Sequence, residues 1–349
     1  MINKMATIKS ALEIAIDRGT INCAVCGVVN EDNLYRPISV GTAGLGSDMP
    51  FQVDSDTIFD VASVTKTVPV STLALIALDM DIVTLDTKLI ELLPEYSSPQ
   101  RELITFRHLL TQTLDFDFAM SGLKDLPSQD VWSRVLSAPL KREPGSHYFY
   151  CNATSLLLGA SVERIFGGSL DAIAKELIFN PLDMNSTQFR VKSSKRVVPT
   201  EIDNWRGREI RAEIHDESSW RLNEIMVPGA AGLFTTASDL QKYLKMIISG
   251  GAPLFSDGFL DGAVVNHLPK ELNQEAALGF EYNQPYMGKR RSTRTIGKTG
   301  FTGSVIVADY QRKIGFTLLT DFTWPKRKES KEGIVRLRQE IADIVWSIE

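Results

Sequence analysis

At 349 residues, with 43% hydrophobic and 23% charged content, the chain has the composition of an ordinary globular protein large enough for two cores. Its net charge of −5 is mild, and the short basic run Lys326-Arg327-Lys328 is flanked by Glu329 and Glu332, which excludes nucleic acid and an anionic membrane as expected partners. Asp79 and Asp81 interrupt the best apolar stretch, so no segment approaches the ~18 residues that span a bilayer.

The apolar residues of 5–18 recur at helical spacing, and Gly19 supplies a helix stop. The first ten residues lack an uninterrupted apolar segment and a small-residue cleavage site, so the expected location is cytoplasmic. Three cysteines, an odd number, fit reduced thiols in that compartment. Strand-like runs at 21–29 and 34–42 flank the polar turn Asn30-Glu31-Asp32-Asn33 and predict a hairpin. Cys23-Ala24-Val25-Cys26 lies in the first run. Residues three apart on a strand point to opposite faces, and no second cysteine pair adds ligands, so packing is expected there rather than metal or redox chemistry.

Ser63-Val64-Thr65-Lys66 opens the apolar run 68–78. On a helix, positions i and i+3 share a face, so the Lys66 amine can reach the Ser63 hydroxyl and serve as its base. The helix start favours a neutral amine and lets the Ser63 N–H help hold an oxyanion. Taken alone, the tetrapeptide equally describes a capping serine and a surface lysine. Pro69 falls inside this helix and should kink it. Ser121-Gly122-Leu123-Lys124 repeats the spacing but lacks an apolar helix behind it and reads as a loop.

Further along, Tyr150-Cys151-Asn152 precedes the apolar run Leu156-Leu157-Leu158. A phenol near cations can shuttle a proton between serine and leaving group, and an amide two residues on can bond the lysine and a substrate carbonyl. Lys298-Thr299-Gly300 sits at a strand edge. It offers a cation and a hydroxyl for a substrate carboxylate, a close backbone approach at Gly300, and the Phe301 N–H for an oxyanion. Runs at 304–309 and 314–319 predict a second hairpin, and Ile334, Leu337, Ile341, Ile344, Val345 and Ile348 stripe a closing helix. The four histidines have no metal-ligand spacing, and neither metal nor cofactor is expected.

Strands and helices at both ends, around a helical stretch from Ser63 to about Tyr243, predict an α+β domain of residues 1–62 and 285–349 with a mainly helical insertion, 63–284. The expected active site is the crevice between them.

Together and in this order, the three motifs resemble the active-site signature of the serine β-lactamase and penicillin-binding-protein superfamily. The Tyr-x-Asn middle motif is similar to that of the class C branch, with its D-alanyl-D-alanine carboxypeptidases, D-aminopeptidases, esterases and transesterases. The resemblance extends over Phe59-Asp60-Val61-Ala62, residues 104–111, Glu143-Pro144-Gly145, residues 227–240 and Gly300-Phe301-Thr302-Gly303. It implies a β-lactamase-like fold, an antiparallel sheet flanked by terminal helices. It also implies a nucleophile at Ser63, shared acid and base work at Lys66 and Tyr150, and substrate binding at Asn152, Lys298, Thr299 and Gly300. The oxyanion hole would be the N–H groups of Ser63 and Phe301.

Where many relatives continue His-Thr-Ser-Gly after Leu110-Thr111, this chain reads Gln112-Thr113-Leu114-Asp115. Esterase-type relatives often carry histidine at the position of Lys298; the lysine here suggests a permanent cation facing a carboxylate-bearing substrate. His215-Asp216-Glu217 resembles a segment that shapes the site in esterase-like relatives, and is expected to be structural. The expected activity is hydrolysis of an ester, amide, peptide or β-lactam through an acyl-enzyme, with a small molecule or peptide as acyl donor. The alternatives are acyl transfer in small-molecule biosynthesis and a penicillin-binding-like sensor that does not turn over.

Overall fold

A computed structural model of the chain describes residues 2–348. In chain order its strands are β1 (Cys23–Asn30), β2 (Ile38–Ala43), β3 (Phe51–Gln52), β4 (Phe59–Asp60), β5 (Glu201–Asp203) and β6 (Arg208–Ile210). They continue with β7 (Phe234–Thr235), β8 (Ala276–Ala277), β9 (Phe280–Tyr282), β10 (Thr295–Thr299), β11 (Val305–Asp309) and β12 (Ile314–Thr320). Eight of them form one antiparallel sheet in the order β3-β2-β1-β12-β11-β10-β9-β8. The fold is thus β-lactamase-like in architecture, as the motifs imply.

Helices cover both faces of the sheet, which explains why its central strands are apolar on both sides rather than alternating. The helices Ile2–Asp17 and Glu332–Val345 lie on one face, with Ile8, Leu12, Ile334, Leu337, Ile341 and Val345 packed against Cys26, Val28, Phe316 and Leu318. On the other face, Cys23 and Val25 join a larger core that includes Leu240, Leu244 and Ile247 of the helix Ala237–Ile248. Cys23 and Cys26 therefore enter different cores, as strand alternation requires, and both are buried free thiols. The second strand of the first hairpin begins later than its apolar pattern suggests. Leu34 makes only a single bridge to Val29, and regular pairing starts at Ile38, because Pro37 has no N–H to give the ladder.

The middle of the chain is less purely helical than expected. β4 pairs with β7, β5 with β6, and β8 and β9 extend the main sheet ahead of residue 285, while the helix Ala237–Ile248 packs on β1, β11 and β12. Residues 237–248 and 276–282 thus sit with the sheet. Strands of two or three residues are too short to leave a period-two signature. The buried helix Asn152–Phe166 remains the centre of the helical part. No helix among the described residues is long and apolar enough to cross a membrane.

Candidate active site

Ser63 stands on a turn held from below. Asp60, at the end of β4, accepts the Ala62 N–H at 2.7 Å through one carboxylate oxygen and the His215 N–H at 2.8 Å through the other. Ala62 adopts φ +47°, a conformation that costs a non-glycine residue of order 1 kcal/mol and persists only where the surroundings enforce it. Residues Ala62–Lys66 then form a 3₁₀ turn rather than the α-helix expected. With three residues per turn, Ser63 and Lys66 eclipse one another, which aligns the pair better than an α-helix would. The kink expected at Pro69 falls on the residue before it: Val68 has φ −101° and ψ 71°, as steric conflict with the proline ring demands. Ser71 Oγ donates to the Lys66 carbonyl at 2.8 Å and Thr72 Oγ1 to that of Thr67 at 2.9 Å, satisfying carbonyls around the kink before the regular helix Thr72–Asp79 begins.

Two proton-handling groups converge on the serine. Lys66 Nζ donates to Ser63 Oγ at 3.0 Å, and the Tyr150 hydroxyl donates to the same oxygen at 2.7 Å. Lys66 is buried and gives a second bond, at 2.6 Å, to the Ala230 carbonyl. The Tyr150 ring lies 4.3 Å from Lys298 Nζ and 5.2 Å from Lys66 Nζ. Desolvation of the phenol raises its pKa, but the two ammonium groups and the bond to Ser63 outweigh it and hold the phenol below its ordinary range. Asn152, the first residue of its helix, points its amide at Asp216 Oδ2 at 3.1 Å. Its expected bond to Lys66 is made instead by the Ala230 carbonyl.

β10 carries Lys298 and Thr299 and pairs with β9, Glu281 standing opposite Gly297. A Cβ at Gly297 would lie 2.5 Å from the Ile306 carbonyl oxygen and 3.1 Å from the Tyr286 hydroxyl, so glycine is needed for the strand pairing and leaves room for the group that bonds Glu281. Glu281 forms a buried ion pair with Lys298, accepts from the Tyr286 hydroxyl at 2.6 Å, and lies 3.5 Å from Thr299 Oγ1 through both oxygens. Burial works against the Lys298 ammonium, yet Glu281 outweighs it and raises Lys298 above its usual range. Lys298 is therefore a firmly charged ammonium already paired to one carboxylate.

The turn after β10 is clamped against the serine. A Cβ at Gly300 would lie 2.4 Å from the Val61 carbonyl oxygen, so only glycine permits this approach of the turn to the chain just ahead of Ser63. Thr302 Oγ1 donates to the Asp60 carbonyl at 2.8 Å, and Arg338, buried in the C-terminal helix, donates to the Gly300 and Ser304 carbonyls at 3.0 Å each. A cleft of about 340 Å³ opens here, floored by Ser63 and walled by Tyr150, Thr299, Phe301 and Arg338. Ser121 lies exposed on a short 3₁₀ turn away from these residues.

The sequence profile of the family described as Beta-lactamase matches residues 10–339. The chain belongs to the β-lactamase family. This is a family of serine hydrolases whose relatives here include carboxypeptidase and esterase proteins. Among curated proteins the chain is 28% identical over 210 residues to an Escherichia coli (strain K12) protein provisionally named D-alanyl-D-alanine carboxypeptidase, covering 54% of this chain and 48% of that one. It is 27% identical over 207 residues to the N-acetylmuramyl-L-alanine amidase of Bacillus subtilis (strain 168), covering 52% and 46%. The chain spans about half the length of the curated relatives it matches. Among solved structures, EstCE1, a hydrolase with promiscuous acyltransferase activity, superposes with TM-score 0.80 at 20% identity over 99% of both chains. Unliganded simvastatin synthase (LovD) from Aspergillus terreus superposes with TM-score 0.75 at 18% identity over 98% of both, which extends the shared fold to nearly the whole chain.

Five members of the site escape the motifs: Asp60, Asp216, Ala230, Glu281 and Arg338. Asp60 and Ala230 lie in stretches that carry the family resemblance, and Asp216 in the histidine-containing segment expected to be structural. Glu281 is a lone acid between aromatic neighbours, a pattern that marks a charge entering a core. Nothing local distinguishes Arg338 from its neighbours on the helix.

Proposed function

We propose that the chain is a serine acyl hydrolase acting on an ester, amide, peptide or β-lactam. With Tyr150 as a phenolate stabilised by the Lys66 and Lys298 charges, Ser63 Oγ attacks the carbonyl carbon and passes its proton to the phenolate oxygen. The oxyanion is held by the N–H groups of Ser63 and Phe301. Tyr150 returns the proton to the leaving oxygen or nitrogen as that bond breaks, leaving an ester on Ser63. Water then adds to the acyl carbon, gives up its proton by the same route and releases the acid. Asn152, Lys298, Thr299 and Gly300 line the substrate's path. In this reading the cleft lies between a sheet-bearing part from both chain ends and a mainly helical part carrying Ser63, Lys66 and Tyr150.

The observation that carries the proposal is the convergence of Lys66 Nζ and Tyr150 Oη on one serine oxygen, at 3.0 and 2.7 Å. A cytoplasmic address belongs to the same reading, supported by three buried, unpaired cysteines of the kind a reducing compartment maintains. A cleft of about 340 Å³ beside Ser63 also has room for an acceptor larger than water, so an alcohol or amine can replace water in the second step.

The test is turnover of a p-nitrophenyl ester by the wild type and by Ser63→Ala. Hydrolysis should vanish in the variant; an undiminished rate would refute the proposal.

A further inference from the structure

The peptide groups on either side of Tyr150 are both held by one residue, Gln112. Its carbonyl accepts the Phe149 N–H at 2.8 Å, and its side-chain oxygen accepts the Cys151 N–H at 3.3 Å. The nitrogen of the same side-chain amide donates to Ser155 Oγ at 3.2 Å, which ties the first turn of the helix Asn152–Phe166 to the grip. Gln112 holds this place against its backbone preference. It follows the helix Phe106–Leu110 and its cap Thr111 and adopts φ +55°, while the Thr113 N–H returns to the His108 carbonyl at 3.1 Å. Glycine is the common residue at such a helix end and asparagine the next, because both take left-handed backbone readily. A plain helix stop needs no long side chain, so the strained glutamine points to a use for its amide.

We infer that Gln112 is a positioning residue for Tyr150, fixing the backbone from which the phenol reaches Ser63 Oγ at 2.7 Å. The inference rests on the acyl-enzyme reading, in which Tyr150 moves the proton. The Tyr150 hydroxyl stands at the far end of a long side chain, so a small turn of the backbone at its root displaces the oxygen by more than the backbone moves. A misplacement of about 1 Å at a reacting group costs on the order of 10²-fold in rate. Gln112 also lines, with Lys66, Tyr150 and Lys298, a cavity of about 20 Å³, room for a single water molecule. No substrate group fits there, so Gln112 meets the reaction through Tyr150 rather than through a substrate.

The test is a double-mutant cycle on p-nitrophenyl ester hydrolysis with Gln112→Gly and Tyr150→Phe. Glycine relieves the left-handed strain, so Gln112→Gly should melt close to the wild type, yet its kcat should fall by about tenfold or more while KM changes by less than about twofold. In the Tyr150→Phe background the same substitution should change kcat by less than about twofold, because the hydroxyl it positions is gone. Gln112→Asn also accepts this backbone but is one methylene too short to reach the Cys151 N–H; it should repeat the loss, and it carries the test if the glycine variant does not fold. Full activity in a folded Gln112→Gly or Gln112→Asn protein, or an equal loss with and without the Tyr150 hydroxyl, makes Gln112 a helix stop and overturns the inference. Failure of both variants to fold does the same. The hydrolase reading survives each of these results as long as Ser63→Ala is inactive. Turnover that survives in Ser63→Ala overturns both.

Discussion

The Tyr150 hydroxyl donates to Ser63 Oγ at 2.7 Å, a tighter link than the 3.0 Å bond from Lys66. Tyr150 sits just ahead of the helix that begins at Asn152, and the residue as a whole is 41% exposed, so its contribution to stability is small and its contribution to proton transfer large. Tyr150→Phe should lower kcat by about 10²–10⁴ while leaving the thermal midpoint nearly unchanged. A loss under fivefold would assign the base to Lys66 alone.

The pH dependence follows from the same contact. The phenol is held below its ordinary range by Lys298 and Lys66, so the rising limb of kcat/KM, where Tyr150 loses its proton, should lie at lower pH than for a free phenol. Removing one cation in Lys298→Gln weakens that effect, and the limb should move to higher pH. A limb that stays in place would mean that another group controls it.

Arg338 supports the turn after β10 from the C-terminal helix. Its two bonds to the Gly300 and Ser304 carbonyls are charge-assisted and buried. Arg338→Met should cost about 2–5 kcal/mol in urea unfolding and reduce kcat more than it changes KM, because the Phe301 N–H loses its backing. Arg338→Lys, able to recover one bond, should fall between. Normal stability in Arg338→Met would contradict this role.

Asp216 joins two elements of the site. One oxygen accepts the Asn152 amide at 3.1 Å, and the other caps the helix Glu217–Leu222 through the Ser219 N–H at 2.8 Å. Asp216→Ala should therefore cost about 1 kcal/mol in a denaturant melt and lower activity as well. A variant with lower stability but full activity would reduce Asp216 to a helix cap.

Acid sensitivity should arise behind the oxyanion turn. Burial, with help from the Arg327 charge, pushes His215 from 6.5 down to about 3. The unfolded chain then binds a proton that the folded chain refuses, so the stability from neutral His215 is complete above about pH 6.5 and is lost as pH falls toward 3. Asp60 acts in the opposite sense: burial raises it from 3.8 to about 6, which favours the fold as pH falls through that window. The melting temperature of the wild type should therefore fall more steeply between pH 6.5 and 3 than that of His215→Asn. A steeper decline in the variant would reverse the assignment.

What was legible in the sequence depended on distance along the chain. Ser63 and Lys66 share a turn, Lys298 through Phe301 are consecutive, and the order of the motifs carried the family. The terminal hairpins and helices announced themselves through spacing, and the opposite-face placement of Cys23 and Cys26 followed from strand geometry. The groups that tune these residues arrive from elsewhere. Ala230 lies 164 positions from Lys66, and Glu281 meets Lys298 only through the pairing of β9 with β10. The partner of Lys298 was accordingly not visible, because a lysine's sequence neighbours do not reveal a carboxylate on the adjoining strand. The 3₁₀ turn at Ser63 was equally hidden, since it depends on Asp60 gripping Ala62 and on the strained φ that this produces.

The central claim is that Ser63 carries the acyl group. Wild-type protein mixed with a p-nitrophenyl ester, quenched in acid within milliseconds to seconds and digested, should yield the peptide containing Ser63 heavier by the mass of the acyl group. Ser63→Ala should show no such peptide. An acyl group found on another residue, or labelling that persists in Ser63→Ala, would contradict the account.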